Sequence, residues 1–151
     1  MKSSFKELLL LGLMAVFTLA LSCGGDDPAE EMDERTAQEI ATELLTAGTW
    51  SLANGGSVMM GNNDLSSEFM GLTMTFNTNS QYRSVSSRIF SNTGTWNWTD
   101  LMTDTQIQMF VSGVSPITIS RVNETAFVFS FTLSNDIGSI SRGDYTIRLT
   151  R

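Results

Sequence analysis

Phe127-Val128-Phe129-Ser130-Phe131-Thr132-Leu133 is the stretch on which the fold turns: four large apolar side chains recur at every second position, with small or polar residues between them. Only an extended chain places residues two apart on one face, so this run reads as a strand with one buried and one solvated side. The same period recurs at Leu72, Met74 and Phe76, at Ile107, Met109 and Val111, and at Tyr145, Ile147 and Leu149. Strands of this two-faced kind belong to antiparallel sheets. Further strands are expected near Trp50–Ala53, Ser57–Met60, Gln81–Ser86, Thr95–Trp98 and Pro116–Val122. Turn-forming clusters such as Asn54-Gly55-Gly56, Gly61-Asn62-Asn63-Asp64, Ser91-Asn92-Thr93-Gly94 and Arg142-Gly143-Asp144 separate them. The expectation is an all-β domain, an antiparallel up-and-down meander of about eight strands. Closing it into a barrel removes the sheet edges that otherwise invite aggregation.

Upstream of the first strand the period changes. Ala37, Ile40, Ala41, Leu44 and Leu45 follow helical spacing, Thr36 and Glu39 have capping-box spacing, and Gly48 can stop the helix. One short N-terminal helix, about Ala37 to Ala47, is therefore expected, with an apolar stripe that must lie against the strands.

The N-terminus carries a different message. Lys2 and Lys6 precede the apolar run Leu8 to Leu21, which ends at small Ser22 and the chain's single cysteine, Cys23. A charged n-region, an apolar stretch of about 15 residues and small residues at its end make a signal peptide, too short to be read first as a spanning helix. The Leu21-Ser22-Cys23-Gly24 junction resembles the lipobox of bacterial lipoproteins, with Ala20 where that pattern usually has Leu, Val or Ile. The resemblance implies removal of residues 1–22, acylation of Cys23 and attachment to a membrane through the acyl chains. Gly24 after the cysteine fits sorting to the outer membrane in Gram-negative bacteria. The acidic run Asp26, Asp27, Glu30, Glu31, Asp33 and Glu34 resembles the export signal of surface-displayed lipoproteins, and read plainly it is a solvated spacer. The expected organisation is a leader at 1–22, an acidic flexible tether at 23–35, and one β domain with its helix at 36–151.

The net charge of −7 is concentrated in that tether: residues 24–47 hold eight acids against Arg35 alone, whereas residues 48–151 hold seven acids against six arginines. A nearly neutral domain with no lysine after Lys6 has no basic patch to neutralise phosphates, which argues against nucleic acid as a partner.

Taken in order, Gly48-Thr49-Trp50, Gly71-Leu72-Thr73-Met74-Thr75-Phe76, Gly94-Thr95-Trp96-Asn97-Trp98, Ile117-Thr118-Ile119, the phenylalanine run and the closing Tyr145-x-Ile147-x-Leu149 resemble the small lipocalin-like domains of bacterial lipoproteins. The likeness covers about residues 44–151. It implies a lipocalin-like barrel with a helical turn across one end, a late arginine (Arg148 or Arg151) stacked on Trp50, and a small apolar ligand inside. Met74, Phe76, Trp96, Trp98, Met109 and Phe129 are the candidate lining. Strands of 6–8 residues at ~3.3 Å rise and ~40° tilt make a wall only about 18 Å tall. A barrel so shallow is filled by its own aromatics, holds a small pocket, or, least in keeping with its height, encloses a deep calyx.

Catalytic chemistry has little to work with. The chain has no histidine, and its lone cysteine is assigned to lipid, which excludes Ser/His and Cys/His pairs and zinc held by histidine or thiolate. Asp100 with Asp104, or Asp64 with Glu68, are the remaining acid–base candidates, and Asn62-Asn63-Asp64 with Glu68 offers oxygens for calcium but reads better as a turn. The expectation is a protein that is not an enzyme and needs no cofactor. Two other readings stay open. One is an accessory interaction module of an envelope or nutrient-uptake complex, with a filled barrel and an exposed aromatic such as Phe110 or Phe69 as its contact. The other is a sandwich that binds carbohydrate on exposed Trp96 or Trp98.

Overall fold

A computed structural model describes residues 35–100 and 105–151. The leader, Cys23 and the tether as far as Glu34 lie outside the described residues, as do Met102 and Asp104. Helix α1, Ala37–Thr46, opens on the expected capping box: the Glu39 N–H donates to Thr36 Oγ1 (3.1 Å) and the Thr36 N–H to Glu39 Oε2 (2.7 Å). Its stripe ends on fully buried Leu45.

Ten strands follow among the described residues: β1 (Thr49–Ser51), β2 (Ser57–Met60), β3 (Asn63–Asp64), β4 (Thr73–Phe76), β5 (Gln81–Val85), β6 (Thr93–Trp98), β7 (Gln106–Met109), β8 (Ile117–Val122), β9 (Ala126–Leu133) and β10 (Gly143–Thr150). Every neighbouring pair is antiparallel, in the order β1-β4-β5-β6-β7-β8-β9-β10, and β10 returns to β1 through Thr150 and Ser51. Eight strands thus form a closed barrel, and the single helix precedes them.

Closure depends on one stave being broken. β10 pairs first with β2, from Tyr145 opposite Met60 to Arg148 opposite Ser57, and then with β1 at Thr150. Between Ser51 and Ser57 the chain uses six steps where β10 uses two, and the surplus forms the turn Leu52–Gly56. A side chain at Gly56 would meet the Leu52 carbonyl oxygen at 2.4 Å, so only glycine lets the turn fold back on itself.

The alternation seen in the sequence is the inside–outside alternation of the wall. Met74 and Phe76 of β4, Tyr82 and Ser84 of β5, Trp96 of β6, Ile107 and Met109 of β7, Phe127, Phe129, Phe131 and Leu133 of β9, and Tyr145, Ile147 and Leu149 of β10 are all buried. Each large apolar side chain so buried contributes about 1.5–3 kcal/mol, enough for the β9 face alone to specify the register. Aromatic contacts run through the interior without a break: Trp50 to Phe127 (5.7 Å between ring centroids), Phe127 to Phe129 (4.6 Å), Phe129 to Phe131 (6.2 Å) and Phe131 to Tyr145 (5.4 Å). Phe76 joins this column edge-on to both Phe127 and Trp96.

Candidate functional site

The two ends of the barrel are closed by different forces. At the end where β1 begins, α1 is fastened by polar contacts. The indole N–H of buried Trp50 donates to the Leu45 carbonyl (3.0 Å), and that of Trp98 to Thr42 Oγ1 (3.0 Å). Gln38 Nε2 donates to the Asp100 carbonyl (2.6 Å), joining the first turn of the helix to the chain after β6. The Arg151 guanidinium lies 4.6 Å from the Trp50 ring centroid and donates to the carbonyls of Leu44 (3.2 Å) and Glu124. The arginine over the tryptophan is therefore Arg151; Arg148 sits mid-strand opposite Ser57 and Val128, on the face turned away from the core. A cation–π contact at such a site is worth about 0.5–2 kcal/mol.

At the opposite end, apolar side chains from loops do the closing. Phe69 descends from a short 3₁₀ turn (Ser66–Phe69), Ile89 and Phe90 from the β5–β6 loop, Val114 from the β7–β8 loop and Ile140 from the β9–β10 loop. Phe90 packs its ring 5.3 Å from Phe131 and 6.3 Å from Phe129, across the top of the aromatic column. The polar ties of its loop to other loops are on the surface: Arg88 reaches Glu68 at 3.7 Å and Ser139 Oγ at 3.3 Å, with both charged groups about half exposed. Such pairs are worth ~0–1 kcal/mol.

The candidate lining residues are brought together. Met74, Phe76, Trp96, Met109 and Phe129 share the interior, whereas Trp98 is half-buried at the helix end, where its ring meets Trp96 at 6.2 Å. Burial of Trp96 and the engagement of Trp98 by Thr42 remove the exposed aromatic platform that a carbohydrate site on these tryptophans needs. Phe69 is a second correction: it was expected as an exposed contact and is 1% exposed, because the 3₁₀ turn swings it inward. Phe110, by contrast, is 68% exposed and Met70 77%, both at the loop end.

Two polar groups went unread in the sequence. On β5 the inward positions are Tyr82 and Ser84, 2% and 1% exposed, facing Phe76 and Met74 across the β4 pairing. Neither Tyr82 Oη nor Ser84 Oγ has a hydrogen-bond partner. Burial raises the Tyr82 phenol pKa above its ordinary 10.0; the Ser91 hydroxyl lies near enough to temper that rise without completing a hydrogen bond of sound geometry. The Tyr82 ring lies across Gly94, its partner on β6, where an added Cβ would stand 2.5 Å from the ring.

Of the acidic candidates, Asp64 and Glu68 have their carboxylates engaged locally, and Asp104 lies outside the described residues. Asp64 accepts from the Ser66 N–H (2.8 Å) in a local turn just ahead of the 3₁₀ segment; its carboxyl pKa is lowered by the Ser66 side chain first and the Ser66 backbone second. Glu68 faces Arg88, and the Asp100 carbonyl holds Gln38. Among the described residues no three or more metal-ligating side chains gather, and no helix is long and apolar enough to cross a membrane. Comparison with protein-family models and with curated proteins finds no match to this chain. The closed barrel with its buried aromatics is compatible with a lipocalin-like fold.

Proposed function

We propose that this chain is a non-enzymatic, lipid-anchored lipocalin-like lipoprotein of the outer membrane that takes up a small apolar molecule through the loop end of its barrel. The observation that carries the reading is the asymmetry of closure. One end is clamped by directional hydrogen bonds and an arginine stacked on Trp50, while the other is stoppered by loop side chains, Phe90 foremost. Lifting Ile89 and Phe90 into water costs about 1.5–3 kcal/mol each, which holds the open form to roughly one molecule in a hundred to one in ten thousand. An apolar ligand that replaces the Phe90 ring against Phe129 and Phe131 restores that burial, so binding and opening are coupled. Anchoring at Cys23 belongs to the same reading, on the strength of the leader and the lipobox-like junction. The test is native mass spectrometry of the protein extracted from its own membranes. The expected species starts at an acylated Cys23 and retains a small non-covalent adduct. An unacylated cysteine, or a chain that never carries an adduct, refutes the corresponding half of the proposal.

A second reading has its own observation. Among the described residues Phe110, Met70 and Val85 are the exposed large apolar ones, and all three lie at the loop end. A protein partner docked there makes the domain an accessory module of an envelope or nutrient-uptake complex. Alanine at Phe110 and Met70 then abolishes cross-linking to that partner, and unchanged cross-linking removes the reading.

A further inference from the structure

The inner face of β5 breaks the rule that otherwise governs this barrel. Every other inward position named above is apolar or, like the indole of Trp96, which donates to the Asn77 carbonyl at 3.2 Å, has its polar atom engaged. Tyr82 Oη and Ser84 Oγ alone among the described residues are buried side-chain oxygens without a partner. They sit two residues apart on one face of β5, and the segment that follows Phe90 reaches both: the Asn92 carbonyl accepts from the Ser84 N–H, and the Ser91 hydroxyl lies near the Tyr82 phenol. Unmet hydroxyls are a standing cost in an apolar interior, and a pair of them next to a removable stopper marks a place where something else supplies the missing bonds.

The loop that carries Phe90 is set at a sharp angle to the strand. It leaves β5 through Ser86, whose φ of 55° lies in the left-handed region that side chains other than glycine seldom occupy. Its base is closed by the Ser84 N–H donating to the Asn92 carbonyl (2.8 Å), and a cleft of about 600 Å³ lined by Arg83, Ser84, Val85, Ser86, Asn92 and Thr93 lies against that base.

We infer that Tyr82 Oη and Ser84 Oγ form the polar end of a ligand subsite for a neutral amphiphile with a single hydroxyl or carbonyl head, gated by residues 86–92. The inference rests on the reading that the barrel takes a ligand, and it specifies which. Two hydroxyls offer both donors and acceptors, so a head that accepts, or accepts and donates, satisfies them. A charged head does not fit. Among the described residues the inward side chains include no ionisable partner other than the tyrosines, Arg83 points outward on the same strand, and a carboxylate buried without a counter-charge is strongly disfavoured. The tail then lies against Met74, Met109 and Phe129 in place of the displaced Phe90 ring.

The experiment uses the full lipid-anchored chain in nanodiscs, with the methyl resonances of Met74 and Met109 as reporters. Decanol, chlorodecane and decanoate are titrated into the wild type and into the Tyr82→Phe/Ser84→Ala double variant; partitioning into the bilayer is common to both proteins and cancels. Decanol is expected to shift both methyls in the wild type and to bind roughly tenfold more weakly in the double variant, chlorodecane to bind both proteins alike, and decanoate to shift neither methyl. Equal decanol affinity in the two proteins, an equal loss for chlorodecane, or decanoate shifts matching those of decanol overturns the polar subsite while leaving an apolar ligand site standing. Silence from decanol and chlorodecane alike overturns ligand binding itself.

Discussion

Ser84→Ala, alone and with Tyr82→Phe, is expected to make the empty protein more stable. The Ser84 hydroxyl is 1% exposed and unpartnered, facing Met74 across the β4–β5 pairing, so the folded state bears its desolvation with nothing in return. A buried hydroxyl left unsatisfied costs about 1–3 kcal/mol. Against this stands the void left by one oxygen: ~10 Å³ at ~24 cal/mol per Å³ is about 0.2 kcal/mol. The desolvation term wins, and a gain of about 1 kcal/mol is expected for the serine. For a domain of this size that is an upward shift in Tm of about 4 °C. Tyr82→Phe adds a smaller gain, because the Ser91 hydroxyl already sits near the phenol. Urea unfolding followed by tryptophan fluorescence measures both. The midpoint should rise while the m-value, set by the surface exposed on unfolding, stays fixed. A loss of 1 kcal/mol or more in either single variant refutes the reasoning, since it means that a trapped water or a side-chain partner satisfies the oxygen in solution.

Three further outcomes follow from the same geometry. Gly94→Ala forces a Cβ to within 2.5 Å of the Tyr82 ring and should cost about 1–3 kcal/mol, most of it recovered in a Gly94→Ala/Tyr82→Ser background; equal loss in both backgrounds refutes the close approach. Arg151→Ala removes the guanidinium from Trp50 and frees two exposed carbonyls to bond water, so about 1–2 kcal/mol should be lost with a change in near-ultraviolet dichroism; Arg148→Ala should lose well under 1 kcal/mol and leave the spectrum alone. Both tyrosines of the chain have raised phenol pKa values, Tyr82 through burial and Tyr145 through burial reinforced by Glu68 and Asp136. The unfolded chain therefore releases these protons first as pH climbs past 10, while the folded chain still holds them, so stability is intact below pH 10 and falls above it. Tyrosinate absorbance should lag the free phenol in the native state, and a titration at the ordinary value refutes the burial argument.

How much of this was legible in the sequence depends on whether burial followed the period. β9 and β10 were readable because Phe127 to Leu133 and Tyr145 to Leu149 put every large apolar side chain on one face. The alternation at Ile107, Met109 and Val111 extends past the strand: β7 ends at Met109, and Phe110 turns out to solvent, leaving Val111 on a loop. Residues closing the loop end were invisible for a physical reason. Phe69, Ile89 and Phe90 lie in segments without a period, and their burial comes from long-range contact with a barrel mouth that no local pattern encodes. The Asn62–Asp64 stretch looked like a turn and carries the two-residue strand β3, paired with Met59 and Met60. Trp50 was legible as the hub of the helix end, while the choice between Arg148 and Arg151 needed the strand phase: Arg148 alternates outward with Thr146, and Arg151 lies one step past the strand, free to fold back.

Tyr82 and Ser84 show where pattern reading fails for a functional cause. In Gln81-Tyr82-Arg83-Ser84-Val85 the most apolar assignment would turn Tyr82 and Val85 inward, which no strand can do, since they are three apart. The barrel resolves the conflict by burying Ser84 and leaving Val85 at the surface, an arrangement that gives up apolar burial and adds an unmet hydroxyl. A sequence selected for stability alone would place valine at 84 and serine at 85. The inversion falls on a strand that leads into the loop carrying Phe90, and there local consistency is commonly given up for a site's chemistry. The swap Ser84→Val/Val85→Ser therefore separates the two demands: it should stabilise the fold while weakening decanol binding, and a variant that loses stability, or keeps full affinity, breaks the link between the misplaced serine and the ligand.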